Sequence, residues 1–147
     1  MMPDGVLYTG GSDRGWGAKG GNPFALERVV WTGKTPFEIH EMRARPDGFE
    51  LTFTLPVDAK TTGNPASYTA EAWTYIYQVA YGSPEVDKVT PRIVSANVGT
   101  DGKSVRLKLD PLTKGHAHAI SSPGLRNADG KSLLHTTGYY TLNEIPQ

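Results

Sequence analysis

Four aromatic residues in one segment could bind a ligand by stacking. Trp73, Tyr75, Tyr77 and Tyr81 occupy positions of one parity in a predicted strand over residues 66–81. Alternate residues of an unbroken strand share a face. A row of rings can stack on the C–H faces of sugars while polar groups fix the orientation. There are two alternatives. The rings could fill the core or rim of a β-sandwich, which is the more frequent use of aromatic residues in strands, or they could form an interface with another protein.

Histidines could bind a metal ion. His116 and His118 lie two residues apart in a predicted strand, so their rings should project from one face, and His135 or His40 could complete the set after folding. Three imidazoles around an open position suit zinc or copper. The alternative is a metal-free pair on an exposed strand, since the local sequence has no carboxylate spaced to orient the rings. We therefore predict no cofactor.

The glycine-rich segment does not match a nucleotide-binding loop. Gly10 to Gly15 is not followed by the Lys-Ser/Thr pair or the helix that such loops need. We expect a loop that presents Arg14 and Trp16 to the sandwich or to a partner. Ser12 also lies outside a Gly-x-Ser-x-Gly elbow. The carboxylates are scattered over predicted strands, so the sequence favours a non-enzyme and leaves enzyme activity open.

Composition narrows the class of protein. The 147 residues suit one domain of ordinary size, and 15 basic side chains balance 15 acidic ones. This neutrality argues against nucleic acid and anionic membranes as partners. Cysteine is absent, which removes disulfides and thiolate chemistry. The first residues lack the basic start and apolar run of a signal peptide, and no apolar stretch approaches the 18 residues of a membrane span.

Strand patterns and turns predict an all-β fold. A glycine-rich arm over residues 1–34 carries two short strands, at 6–8 and 25–31, and is expected to pack Leu7, Tyr8, Val29 and Trp31 against the rest of the chain or a second chain. Residues 35–147 alternate apolar and polar positions between turns such as Asp47-Gly48 and Asp101-Gly102. This rhythm predicts an antiparallel sandwich of seven or eight strands. Its predicted core comprises Phe37, Ile39, Leu51, Phe53, Leu55, Ile93, Val98, Val105, Leu107, Leu109, Ile120 and Tyr140.

The chain resembles a known family in its second half. Residues 91–134 have the rhythm of bacterial immunoglobulin-like domains of S-layer and surface proteins: strand, Asp-Gly turn, strand, Pro-Leu-Thr-x-Gly, strand, then Asn127-Ala128-Asp129-Gly130. Leu51 to Asp58 is similar to another segment of that family. The whole chain also resembles the junction between a β-propeller and such a module in large secreted planctomycete-type proteins related to soluble sugar dehydrogenases. The resemblance implies an immunoglobulin-like sandwich, with residues 7–11 and 26–33 as remnants of the last propeller blade.

Three hypotheses about function follow. The first is a non-catalytic accessory or interaction module of a larger secreted bacterial protein, located outside the cytoplasm, with a neighbouring domain as partner. The second is a carbohydrate-binding module that presents the aromatic strand face to a polysaccharide. The third is a small metalloprotein or hydrolase built on His116 and His118. A homodimer through the N-terminal arm is an additional expectation.

Overall fold

The N-terminal part of the chain forms one β-hairpin. The structure, a computed structural model, describes residues 6–12, 22 and 24–147. The chain divides into two units, Met1–Lys34 and Thr35–Gln147. In the first, β1 (Leu7–Ser12) pairs antiparallel with β2 (Phe24–Val29). Both strands were predicted, although β1 continues through Gly10 and Gly11, which were predicted as loop.

The apolar side chains of this hairpin are exposed. Phe24 and Leu26 on β2, and Trp31 two residues after it, each expose two-thirds or more of their surface, and every described side chain of β2 is exposed. A two-stranded hairpin is at best marginally stable in water. We predicted that the arm packs against the rest of the chain or a second chain through Leu7, Tyr8, Val29 and Trp31, and this stays a prediction.

The second unit is a sandwich of two four-stranded sheets. The strands are β3 (Ile39–Arg45), β4 (Gly48–Phe53), β5 (Thr69–Tyr75), β6 (Glu85–Val89), β7 (Arg92–Val98), β8 (Ser104–Asp110), β9 (His116–Ser121) and β10 (Thr137–Leu142). One sheet has the order β3-β4-β8-β7 and the other β10-β9-β5-β6, with antiparallel pairing throughout. Helical structure in the described residues is limited to a turn at Ala59–Thr62 and a 3₁₀ turn at Pro65–Ser67. The predicted antiparallel all-β sandwich is confirmed.

The core lies between the two sheets and follows the alternation of the strands. Inward positions of β4 and β8 meet inward positions of β5, β9 and β10, because alternate residues of a strand face the same side. The ring of Phe49 on β4 lies 5.1 Å from His118 on β9 and 5.5 Å from Tyr140 on β10, measured between centroids. All twelve predicted core residues belong to this cluster or pack against it. Four further members come from segments between strands: Val57, Tyr68, Leu125 and Leu133.

The hairpin between β3 and β4 forms where Asp47-Gly48 predicted it. Arg45 pairs with Gly48, and Pro46 and Asp47 form the two-residue turn. Gly48 itself is the first residue of β4 and lies very close to β8. A Cβ atom at this position would lie 2.1 Å from the carbonyl oxygen of Leu107. The close contact between the two backbones therefore requires glycine.

The predicted strand over residues 66–81 is wrong in its extent. β5 ends at Tyr75, residues 76–84 form a connecting loop, and the chain returns as β6, with Tyr75 opposite Glu85. The strand ends at Tyr75 because the next strand, β6, pairs antiparallel with β5. The chain must therefore reverse direction between Tyr75 and Glu85. The pairing contains a bulge between Ala72 and Thr74, and Asp87 on the bulged strand has a positive φ of 53°. β6 was not predicted.

Candidate functional site

The four aromatic residues do not form one row. Trp73 and Tyr75 lie on the outer face of β5, since Ala70 and Ala72, of the opposite parity, are buried in the sandwich. Tyr77 and Tyr81 lie on the 76–84 loop and are fully exposed. The structure therefore brings Trp73 and Tyr75 onto one surface and leaves the two other rings on the adjoining loop.

A small recess adjoins Trp73 on the β5–β6 pair. Its volume is about 140 Å³, and its lining comprises Glu71, Ala72, Trp73, Lys88, Val89 and Thr90. The Lys88 Nζ lies 2.7 Å from Glu85 Oε2. The hydrogen bond with Glu85, and then the negative charges of Glu85 and Glu71, raise the pKa of Lys88. The recess thus combines an indole with charged groups of both signs.

The two remaining residues of the predicted ligand set, Arg14 and Trp16, lie outside the described residues. Their contribution to binding stays a prediction.

His116 and His118 share a face, as predicted, but that face is the interior. His116 is almost completely buried, and its Nε2 lies 3.1 Å from Asp87 Oδ2 while its Nδ1 lies 3.1 Å from the Lys114 carbonyl oxygen. This carboxylate belongs to the bulged part of β6. A signal for the inward orientation existed in the sequence, because Ile120 has the same parity and was assigned to the core.

His118 is a core residue with one unsatisfied nitrogen. Its Nδ1 lies 3.1 Å from the His116 carbonyl oxygen, whereas its buried Nε2 has no hydrogen-bond partner. Burial disfavours the imidazolium and lowers the pKa of His118 below its usual 6.5. The ring packs against Phe49, so its contacts are those of a packing residue.

We predict that the protein loses stability in mild acid because of the buried His118. Its folded-state pKa is lowered, so the unfolded chain takes up this proton first as the pH falls through 6.5. This contribution to stability is complete above pH 6.5 and is lost towards the folded-state pKa, at up to about 1.4 kcal/mol per pH unit. Urea unfolding between pH 7.5 and 5 should show this slope, and His118→Leu should reduce it. An unchanged slope in that variant would contradict this assignment.

His135 lies in a groove between β3 and β10, edge strands of opposite sheets. Its backbone N–H donates to Glu38 Oε2 over 3.0 Å, and its Nδ1 lies 2.6 Å from Glu38 Oε1. His40 and Glu41 also line the groove, whose volume is about 410 Å³. A carboxylate on one imidazole nitrogen orients the ring and leaves the other available, as in many metal and acid–base sites. The local sequence did not reveal Glu38 as the partner, because 97 residues separate the pair.

The three histidines of the predicted metal set do not lie together. His116 pairs with Leu142 at one end of the β9–β10 ladder, whereas Ser121 pairs with Thr137 at the other end, close to His135. Five residue steps along a strand correspond to about 17 Å. Within residues 6–12, 22 and 24–147, no group of three or more histidine or acidic side chains is arranged to hold a metal ion.

Solved structures with a similar fold come from a bacterial surface protein. The N-terminal part of the bacterial S-layer protein SbsC matches with a TM-score of 0.56 and 20% identity, over 74% of this chain and 24% of that one. The S-layer protein rSbsC(31-844) matches with a TM-score of 0.56 and 21% identity, over 74% of this chain and 14% of that one. This chain thus spans a quarter or less of those structures. The likeness shows a shared β-domain fold, as the resemblance to S-layer modules implied.

The sequence matches no family model and no curated protein. Among the described residues, no helix is long and apolar enough to cross a membrane.

Proposed function

We propose that this chain is a non-catalytic module of a larger bacterial cell-surface protein, located outside the cytoplasm. The observation that carries the proposal is the similarity to SbsC, which covers 73–74% of this chain but at most 24% of the SbsC structures. In the proposal, the immunoglobulin-like sandwich of residues 35–147 is one unit within a series of domains. The burial of His116 and His118, with His135 near the other end of the β9–β10 ladder, supports this proposal over a metalloprotein or hydrolase built on His116 and His118.

The N-terminal hairpin supports a contact with another domain. Leu26 on the two-stranded hairpin and Trp31, which follows it, are largely exposed, and such a hairpin needs further packing to be stable. We propose that residues 1–34 complete a neighbouring domain, in line with the resemblance to the last blade of a β-propeller. Homodimerisation through this arm is the alternative way to cover the same side chains.

Surface labelling of the source organism tests the proposed location. An antibody raised against the sandwich should label intact cells to nearly the same level as permeabilised cells. Labelling that appears only after permeabilisation would overturn the proposal. The reading frame that encodes the natural protein provides the second test, since it should specify further extracellular domains.

A carbohydrate-binding function is the second candidate, supported by the exposure of the aromatic residues around β5. Tyr77 and Tyr81 are fully exposed, and Tyr75 is about half exposed on the adjoining strand end. Exposed rings of this kind can stack on sugar C–H faces. Co-sedimentation with insoluble polysaccharides should retain the wild-type protein, and Tyr77→Ala should weaken retention. The candidate fails if the wild-type protein binds no glycan.

A further inference from the structure

We infer that the recess beside Trp73 is a subsite for one sugar ring of a neutral polysaccharide, whose chain continues over Tyr75. This inference rests on the second candidate function and assigns it a location. The location differs from the sequence prediction, since it uses the β5–β6 surface and charged groups from two strands in place of a single aromatic row.

The two aromatic residues are spaced to contact consecutive parts of one ligand. Trp73 and Tyr75 are two residues apart on the outer face of β5, which places their Cα atoms about 7 Å from each other. Trp73 lines the recess and is partly buried, while Tyr75 is about half exposed at the strand end. In the inferred complex, a polysaccharide chain seated at Trp73 continues along β5 and contacts the Tyr75 ring next.

The accessible part of Trp73 suits the C–H face of a sugar. The indole Nε1 is buried and has no hydrogen-bond partner, so it does not reach the surface. The exposed part of the side chain is therefore carbon. Such a surface binds by apolar and C–H contact, and the polar atoms that orient a sugar must come from neighbouring side chains.

Glu71 and Lys88 can supply those polar atoms. Both line the recess, and Glu71 precedes Trp73 by two residues and shares its face. A carboxylate accepts hydrogen bonds from hydroxyl groups, and an ammonium group donates up to three. Because Glu85 already occupies one side of the Lys88 ammonium, and Glu71 adds a second carboxylate, the local charge favours a neutral glycan over an anionic one.

The size of the recess suits part of a polymer better than a whole ligand. Its volume of about 140 Å³ is below the roughly 300–1,000 Å³ of pockets that enclose drug-sized molecules. One ring of a chain can enter such a recess while its neighbours remain on the surface. The inferred ligand is therefore a polysaccharide or long oligosaccharide, and a free monosaccharide should bind poorly.

The test measures binding to cellulose, chitin, xylan and mannan, followed by titration with soluble oligosaccharides of the glycan that binds. Trp73→Ala should weaken affinity about tenfold, the equivalent of one lost stacking contact. Trp73→Phe should retain most of the affinity, and Glu71→Gln should lower it several-fold. Trp31→Ala in the other unit and Glu41→Gln on β3 are the matched controls and should bind like the wild-type protein.

Two results separate the inference from the function on which it rests. If the wild-type protein binds a glycan but Trp73→Ala and Glu71→Gln bind equally well, the subsite is wrong and carbohydrate binding stands. If the wild-type protein binds none of the polysaccharides, both fail. Thermal unfolding of each variant identifies loss of fold, and Glu71→Gln tests the subsite even if Trp73→Ala does not fold.

Discussion

Replacing Phe49 with alanine is expected to lower the free energy of unfolding by about 3–5 kcal/mol. Phe49 is completely buried on β4, and its ring packs against His118 and Tyr140 of the opposite sheet. Removal of the ring eliminates contacts that join the two sheets and leaves a cavity, which the strands on both sides can fill only in part. The side chain therefore contributes to the association of the sheets as well as to the stability of its own strand.

Urea unfolding followed by tryptophan fluorescence or circular dichroism measures this loss. Tyr139→Ala is the matched control, because Tyr139 is an aromatic residue on β10 that exposes about 69% of its surface. The control should differ from the wild-type protein by no more than about 0.5 kcal/mol. A loss below about 1.5 kcal/mol for Phe49→Ala would contradict the role of this ring between the sheets.

Gly48→Ala is expected to destabilise the protein by about 2–4 kcal/mol. The added methyl group would lie 2.1 Å from the Leu107 carbonyl oxygen, a backbone atom that cannot rotate away. Relief of the overlap requires β4 and β8 to separate, and these are the two central strands of their sheet. The substitution should therefore weaken several backbone hydrogen bonds at once.

Gly102→Ala separates this steric effect from the conformational freedom of glycine. Gly102 has a φ of 63°, but a Cβ atom there would meet nothing within 4 Å. Its substitution should cost only the backbone strain, about 1–2 kcal/mol. In chemical denaturation, we expect the free energy of unfolding of Gly48→Ala to be lower than that of Gly102→Ala. The reverse order would show that the contact between β4 and β8 relaxes easily.

Much of the sandwich could be predicted because its central strands follow simple rules. β4 and β8 alternate strictly, carry β-branched or aromatic residues and adjoin Asp-Gly turns, so their inward faces were identified. β6 could not be found in this way. Its sequence, Glu-Val-Asp-Lys-Val, contains three residue types that are depleted in strands, and it forms through a bulged pairing with β5. Tertiary pairing overrides local propensity there.

The candidate sites were less predictable, for two different reasons. The parity rule placed Trp73 and Tyr75 correctly on one face, but it assumed that the strand continued past Tyr75. The contact between Glu38 and His135 depends on the approach of β3 and β10, and no local spacing encodes a pair 97 residues apart. Lys88 was missed together with its strand, so the polar side of the recess became visible only in three dimensions.

The irregular pairing at Asp87 also affects how readily a strand from another molecule could add to the sheet at β6. β6 is an edge strand, and an edge with free backbone groups can be extended by a strand from another molecule. The bulge twists this edge out of the regular ladder, and charged side chains at Glu85, Asp87 and Lys88 surround it. At high protein concentration, we therefore expect this edge to resist the addition of a strand from another copy.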